Sequence, residues 1–204
     1  QDDFDWTHFN ALVYDEIENA IYVSSKNLSR ITKIDKSSGN IVWNMGKQWL
    51  GDNVIQPDRL FSGQHGLQLL ENGNLVFFDN GVLSGRFDGS GESKSTALEI
   101  KVDFINGEYI SNTVWSYTLD KSLYGVVSGN VHKLGNDNYL ITTVGSVDGA
   151  HSIEVTSSGE IVWDCKYNIG TPQGAIDRAM RISGLYDSSF FNNQPILAIN
   201  NYIK

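Results

Sequence analysis

One ending recurs along this chain and limits the folds it can adopt. The segments that end at Trp43 and Trp163 share Ser-Ser-Gly-x-Ile-Val-Trp, and a third segment ends in Val-Trp at Trp115. Self-similarity at intervals of roughly 40–50 residues is the sequence signature of repeat architectures such as β-propellers. The sequence therefore predicts a series of related structural units, each ending in a strand that carries a Trp.

The units themselves have the pattern of short β-strands. Runs rich in Val, Ile, Tyr and Phe are separated by turn residues. Alternation in residues 31–35 and 153–156 predicts one face against a neighbouring sheet and polar side chains toward water. Asn-Gly and Ser-Gly pairs between the runs predict tight hairpin turns. We therefore expect an all-β protein, and a β-propeller in particular. An antiparallel sandwich is the alternative, but it does not explain the repeated ending.

The units divide the chain into candidate blades. We expect residues 1–204 to form a partial β-propeller domain that supplies roughly three to four blades. Closed propellers usually have four to eight blades, and an open array exposes sheet edges. We therefore expect a missing N-terminal segment or a second chain to close the ring. The expected boundaries are blades at about 5–46, 64–118 and 128–168, and a C-terminal piece at 174–204.

Three local features stand outside this pattern. The polar stretch 84–95 predicts an inserted loop, and residues 171–180 predict a short helix or turn. Cys165 is the only cysteine, which leaves no internal disulfide, and its strand-like context predicts a buried small apolar residue.

Composition excludes several classes of function. The formal net charge is −9, and the Lys and Arg residues are scattered rather than clustered. A phosphate backbone would be repelled, so no nucleic-acid partner is expected. No apolar run approaches the roughly 18 residues of a membrane span. Since phosphate-loop, dinucleotide, HExxH and multi-cysteine motifs are missing from the sequence, we expect neither a cofactor nor a metal.

The four histidines are the scarce reactive groups. His8 lies in a loop with Asp, Asn and Trp neighbours, which is a setting that can orient one ring nitrogen and free the other. His65 and His132 each begin a unit, where a side chain can face the central channel of a propeller. For both, a structural hydrogen bond remains the alternative. His151 begins a middle strand, and a structural role is expected for it.

Several ordered motifs resemble the bacterial arylsulfotransferases. The likeness covers most of the chain and is densest in residues 5–81. Together these motifs are more specific than any one alone. They are, in chain order, DWxHxN at 5–10, SSKNLS at 24–29, IDxxxGxIxW at 34–43, QHG at 64–66, LxNGN at 70–74, FDNG at 78–81 and DRAxRIxxLY at 177–186.

The resemblance implies a six-bladed propeller that transfers a sulfuryl group from a phenolic sulfate ester to another phenol. Enzymes of this family work without a nucleotide sulfate donor, through a sulfated histidine. The small partners would be an aromatic sulfate ester and a phenol, with no cofactor. The resemblance also implies a periplasmic or secreted protein.

The same resemblance assigns roles to individual residues. His65 would be the nucleophile, and His8 would bind or protonate the sulfuryl and bridging oxygens. Lys26 stands where the family has an arginine; it keeps the charge but loses the planar two-pronged grip on an oxyanion. Other residues expected to contact substrate are Asn10, Gln64, Arg30 and His132.

Two other functions remain open from the sequence. A propeller that has lost activity would be a binding module for an anionic or aromatic ligand. The Gly-x-Ile-Val-Trp endings also resemble blades of quinoprotein and outer-membrane assembly propellers, which bind a quinone or partner peptides. That alternative leaves the DWxHxN and QH motifs unexplained.

Overall fold

The computed structural model describes residues 5–47, 54–169 and 176–182, which consist mainly of β-strands. Helical structure in these ranges is limited to α1 (Ser84–Phe87) and a 3₁₀ turn at Lys121–Leu123. Within them, no helix has the length and apolar character needed to cross a membrane. The strands are β1 (Phe9–Asp15), β2 (Ala20–Ser25), β3 (Arg30–Asp35), β4 (Ile41–Gly46), β5 (Val54–Ile55), β6 (His65–Leu69), β7 (Leu75–Asp79), β8 (Thr96–Ile105), β9 (Glu108–Thr118), β10 (Val127–Lys133), β11 (Tyr139–Ser146), β12 (Gly149–Val155) and β13 (Ile161–Lys166).

These strands form three separate sheets, each made from consecutive strands. Sheet 1 has the order β1-β2-β3-β4-β5, sheet 2 the order β6-β7-β8-β9, and sheet 3 the order β10-β11-β12-β13. All neighbours pair antiparallel except β4 and β5, which are parallel. No sheet closes on itself. The predicted all-β class is confirmed.

Sheet 2 lies between the other two, and β7 shows this most directly. Every residue of β7 is buried, although successive side chains of a strand point to opposite faces. Leu75 and Phe77 belong to the core shared with sheet 1, where they meet Ile31 and Trp43. Val76 and Phe78 belong to the core shared with sheet 3. A continuous apolar run is therefore needed here, because both faces are covered.

The hairpin turns follow the chemistry expected from the sequence. Gly39, Gly73 and Gly159 have φ values of +73°, +82° and +90°. Glycine adopts this left-handed region at little cost because it has no Cβ. In the first of these turns, Asp35 also accepts hydrogen bonds from the backbone N–H and hydroxyl of Ser38, both at 2.7 Å.

The predicted alternation of apolar and polar faces is wrong at two polar positions. Lys33 is buried toward sheet 2, where its ammonium pairs with Glu18 and lies over the Tyr22 ring. Glu154 is also buried, and it binds Asn138 and Arg181. Both charges are tolerated in low-exposure positions because an oppositely charged or hydrogen-bonding partner accompanies each.

Three further sequence expectations need correction. Of the helix or turn predicted at 171–180, residues 171–175 lie outside the described ranges, and 176–180 are not helical. The stretch 84–95, expected to be a loop, begins with the single turn α1. Cys165 is half-buried rather than buried. It lies on β13, most of which is exposed.

The first strands of the three sheets lie side by side. The amide of Asn10, on β1, donates to the carbonyl oxygen of Gln64 at 2.6 Å, just before β6. The amide of Gln68, on β6, donates to the carbonyl oxygen of Val131 on β10 at 2.8 Å. Gly66 lies so close to Asn130 that an added Cβ would meet its Cβ at 2.7 Å. Residues at the start of β1, β6 and β10 are thereby brought to one place.

Stability should depend on the cores that join the sheets. Phe77→Ala is expected to lower the free energy of unfolding by about 3–5 kcal/mol, because the ring is fully buried and its loss leaves a cavity. Phe104→Ala is the matched control; its ring is 63% exposed and pairs only with Tyr109 among the aromatic contacts of the described residues. It should cost about 1 kcal/mol or less. Urea unfolding measures both, and equal losses would contradict the proposed core.

Candidate active site

The two histidines of the DWxHxN and QHG motifs lie next to each other. The ring centroids of His8 and His65 are 6.4 Å apart, with the planes 70° from parallel. His8 immediately precedes β1, and His65 is the first residue of β6. Since β1 and β6 are neighbouring first strands, the fold unites residues that are distant along the chain. Two imidazoles at this separation can both contact one small ligand.

His8 is held by its own loop and by the β2–β3 turn. The Asp5 carboxylate bonds to the Nδ1 atom of His8 and accepts the His8 backbone N–H at 2.9 Å. The His8 carbonyl oxygen accepts the backbone N–H of Lys26 at 3.0 Å. The amide of Asn27 donates to the Asp5 carbonyl oxygen at 2.5 Å. With Nδ1 occupied by a carboxylate, the Nε2 atom of His8 is the ring nitrogen left for chemistry.

His65 is oriented by two oxygen acceptors. Its Nδ1 atom lies 2.9 Å from the Gly63 carbonyl oxygen and 2.7 Å from the Oδ1 atom of Asn80. An acceptor cannot pair with an acceptor, so Nδ1 carries the proton and donates to both. In the neutral ring the Nε2 atom then holds the lone pair. A nucleophile requires such a free lone pair.

The orientation of the Asn80 amide is itself fixed by the start of sheet 3. Its Nδ2 atom donates to the carbonyl oxygens of Gly125 at 2.8 Å and Ser128 at 3.0 Å. Two carbonyl oxygens can face only the NH₂ end of the amide, which turns Oδ1 toward His65. Asn80 is fully buried, so water does not compete for these bonds. Sheet 3 thus sets the tautomer of a histidine on sheet 2.

The surroundings keep His65 uncharged. Burial lowers its pKa below the ordinary histidine value, and the positive charges of Lys26 and His8 act in the same direction. The hydrogen bonds with Asn80 and Gly63 oppose this shift without reversing it. A neutral imidazole is the nucleophilic form. The lowered pKa therefore favours this neutral form of His65.

Lys26 and Arg30, predicted at the site, occupy the two ends of the β2–β3 turn. Lys26 is half-buried, and its charge acts on His65. Arg30 begins β3, opposite Ser25, and its carbonyl oxygen accepts the Gln64 amide at 3.1 Å. The positive charge of Lys26 therefore acts on the ring of His65.

Gln64 and Asn10 join the strands that carry the two histidines. The Gln64 side chain is fully buried and donates to the Ser24 hydroxyl at 3.0 Å and to the Ser25 carbonyl oxygen at 3.2 Å. Its backbone carbonyl accepts the Asn10 amide. These contacts hold Gln64 between β1 and the β2–β3 turn, and the expected substrate contacts of Gln64 and Asn10 stay predictions.

The other two histidines have structural partners. The Nδ1 atom of His132 accepts the backbone N–H of Arg181 at 3.0 Å, and burial and the Arg181 charge lower the pKa of His132. This bond holds the segment 176–182, and the expected substrate contact of His132 stays a prediction. His151 is buried, and its Nδ1 atom lies 3.3 Å from the Asp164 carboxylate.

Sequence reasoning did not single out Asp5, Asn80 or Asp177. The Asp177 carboxylate binds Ser128 and Arg178, and these contacts lower its pKa although burial acts in the opposite direction. All three residues belong to motifs that carried the family resemblance, at 5–10, 78–81 and 177–186. The motifs therefore indicated the segments that form the site, but they did not indicate which side chains contact each other.

Asp79, next to Asn80, is a buried carboxylate with an unusual titration. Its Oδ1 atom accepts the backbone N–H groups of Ser62 and Gly81, both at 2.8 Å. Burial raises the pKa of Asp79 from 3.8 to about 7, although these two bonds and the Arg59 charge lower it. The Asp79 carboxyl group therefore holds two backbone segments near the His65–Asn80 contact, one before His65 and one after Asn80.

The described residues combine three facing sheets with a pair of histidines at the start of the first two sheets. Comparison with known proteins identifies the family of the chain. A model of the arylsulfotransferase (ASST) family matches residues 1–174. The chain belongs to the arylsulfotransferase family.

Other comparisons add little. A search of curated protein sequences gave no significant match. Among solved structures, the chain is similar to a protein of unknown function from Bacteroides caccae, with 14% identity and a TM-score of 0.46. The match covers 78% of this chain and 45% of that one, so the chain spans less than half of the solved relative.

Asp79 predicts a pH dependence of stability. Its folded pKa lies above the unfolded value, so its contribution is complete below about pH 4 and is lost as pH rises toward about 7. Asp79→Asn keeps an Oδ1 acceptor for both N–H groups but cannot ionise. Urea unfolding from pH 4.5 to 8 should show the unaltered protein losing a few kcal/mol relative to the variant. Parallel curves for the two proteins would refute the buried titration.

Proposed function

We propose that this chain carries the reaction centre of an arylsulfotransferase, which moves a sulfuryl group from an aryl sulfate to a phenol through sulfated His65. The observation that carries the proposal is the His8–His65 pair, with ring centroids 6.4 Å apart and the Nε2 lone pair of His65 available. Membership of the family supports the reaction class.

We also propose that the three sheets are successive blades of a β-propeller. Each sheet is a run of consecutive strands, antiparallel except for β4 and β5, and the first strands of the three sheets lie side by side. Blades of four strands around a central channel have this arrangement. The site would then lie at one end of that channel.

The first half-reaction forms a bond from nitrogen to sulfur. The Nε2 atom of His65 attacks the sulfur of the aryl sulfate, and the bond from sulfur to the aryl oxygen breaks. The proton on Nε2 of protonated His8 passes to the departing oxygen, so a phenol leaves. Positive charge develops on the His65 ring, and the oxygens of Asn80 and Gly63 stabilise it by accepting hydrogen bonds from the Nδ1–H group.

The second half-reaction reverses these roles. His8, now neutral, accepts the proton of an incoming phenol while the phenol oxygen attacks the sulfur. The bond between sulfur and Nε2 breaks, which restores neutral His65 and releases a new aryl sulfate. The Asp5 carboxylate keeps the His8 ring in place and compensates its charge in the protonated state.

Lys26 supplies positive charge for the sulfuryl oxygens. Transfer of such a group spreads negative charge over its equatorial oxygens, and fixed cationic donors stabilise it. Lys26 lies close enough to influence His65. An ammonium binds as a point charge, whereas an arginine binds two oxygens at once.

The nucleophile is tested by incubating the chain with a nitrophenyl sulfate and a phenol acceptor. His65→Asn should lower turnover by at least about 1000-fold, because it removes the group that forms the covalent intermediate. His151→Asn is the matched control, since His151 lies on sheet 3 with Asp164 as its partner, and should keep turnover per folded molecule. With donor alone, mass spectrometry should find sulfate on the peptide containing His65.

Two outcomes would contradict the proposal. Undiminished turnover in His65→Asn would remove His65 as the nucleophile. Absence of a sulfated His65 peptide, together with measurable binding of the aryl sulfate, would instead indicate a binding module. Lys26 in place of arginine is the feature that favours this second function.

A further inference from the structure

A second feature of the first strands is a cavity that begins at Gly66, the residue after His65. Its volume is about 280 Å³. The wall is largely apolar, and one basic side chain, Arg178, reaches it from the C-terminal segment. The lining residues are Val13, Gly66, Leu67, Gln68, Leu69, Asn130, Arg178 and Met180.

The C-terminal strap, defined here as residues 176–182, is fixed along β10 by alternate residues. The carbonyl oxygen of Asp177 accepts the Gly129 N–H at 3.0 Å. Ala179 exchanges two hydrogen bonds with the Asn130 side chain, at 2.8 and 2.9 Å. With residues 177 and 179 turned to β10, Arg178 and Met180 are left to line the cavity.

Arg178 presents a free edge to this cavity. Its Nε atom donates to the Asp177 carboxylate at 2.9 Å, which holds the guanidinium. Within the described ranges, its two Nη groups have no hydrogen-bond acceptor, and more than half of the side chain is exposed. Paired Nη donors match the two oxygens of a carboxylate. The contact with the Asp177 carboxylate is made by Nε, so both Nη groups can still donate.

We infer that the cavity is a binding subsite for a phenol that carries a carboxylate, with the carboxylate on Arg178 and the ring against the apolar wall. A roughly 150 Å³ apolar cavity already admits benzene, so 280 Å³ holds a ring and a short acidic substituent. The subsite extends the proposed function. It rests on that function for one point, namely that the bound phenol is the sulfuryl acceptor. The binding itself needs no sulfuryl transfer.

Binding is tested with 4-hydroxyphenylacetate and its neutral amide, 4-hydroxyphenylacetamide, by calorimetry on the whole chain. The acid should bind about 10-fold more tightly than the amide, because a charged hydrogen-bonded pair is gained. Arg178→Gln should abolish this difference and leave the affinity for the amide unchanged. Arg86→Gln, an exposed arginine on α1, removes the same charge elsewhere and should leave the preference intact.

Two results would overturn the subsite. One is equal affinity of the unaltered chain for acid and amide. The other is an equal loss of both ligands in Arg178→Gln, which would mean that Arg178 only holds the strap. Acceptor kinetics then separate this inference from the proposed function. Preference for the acid without turnover would refute the transferase and support the subsite. Turnover without the preference would support the transferase and refute the subsite.

Discussion

The site depends on the tautomer of His65, which is fixed by the hydrogen bonds from its Nδ1–H to the Oδ1 atom of Asn80 and to the Gly63 carbonyl oxygen. An imidazole with its proton on Nε2 would have no lone pair to offer there, whatever else surrounded it. Asn80 enforces the useful tautomer because its other end is held by two carbonyl oxygens of the loop that leads into sheet 3. The chemistry of one sheet is thereby set by the backbone of the next.

This dependence explains why the packing between sheets matters to function. The Phe78 ring, adjacent to Asp79, belongs to the core between sheets 2 and 3, and lies against Gly125 and Gly129. An added Cβ at Gly129 would meet that ring at 2.8 Å. The loop bearing the carbonyl oxygens that hold Asn80 is therefore positioned by close contact with sheet 2. Loosening this core would release the Asn80 amide and weaken one of the two hydrogen bonds that fix the tautomer of His65.

Much of the fold follows from local chemistry in the sequence, whereas the contacts of the site do not. Turn glycines and apolar runs predicted an all-β chain, and the ordered motifs pointed to His8 and His65. Burial on both faces of β12 could not be read from residues 153–156, because it depends on what lies beside the strand. The bond from His132 to Arg181 likewise joins residues whose proximity only the folded chain determines.

The protonation of the His65 ring tests this account most directly. A long-range ¹H–¹⁵N spectrum of the chain at pH 7.5, with the His65 signals assigned by comparison with His65→Asn, reports which ring nitrogen holds the proton. We expect a protonated Nδ1 and an unprotonated Nε2, with this preference weakened in Asn80→Ala, where only the Gly63 carbonyl oxygen still accepts the Nδ1–H. A proton on Nε2 of His65 in the unaltered protein would contradict the account.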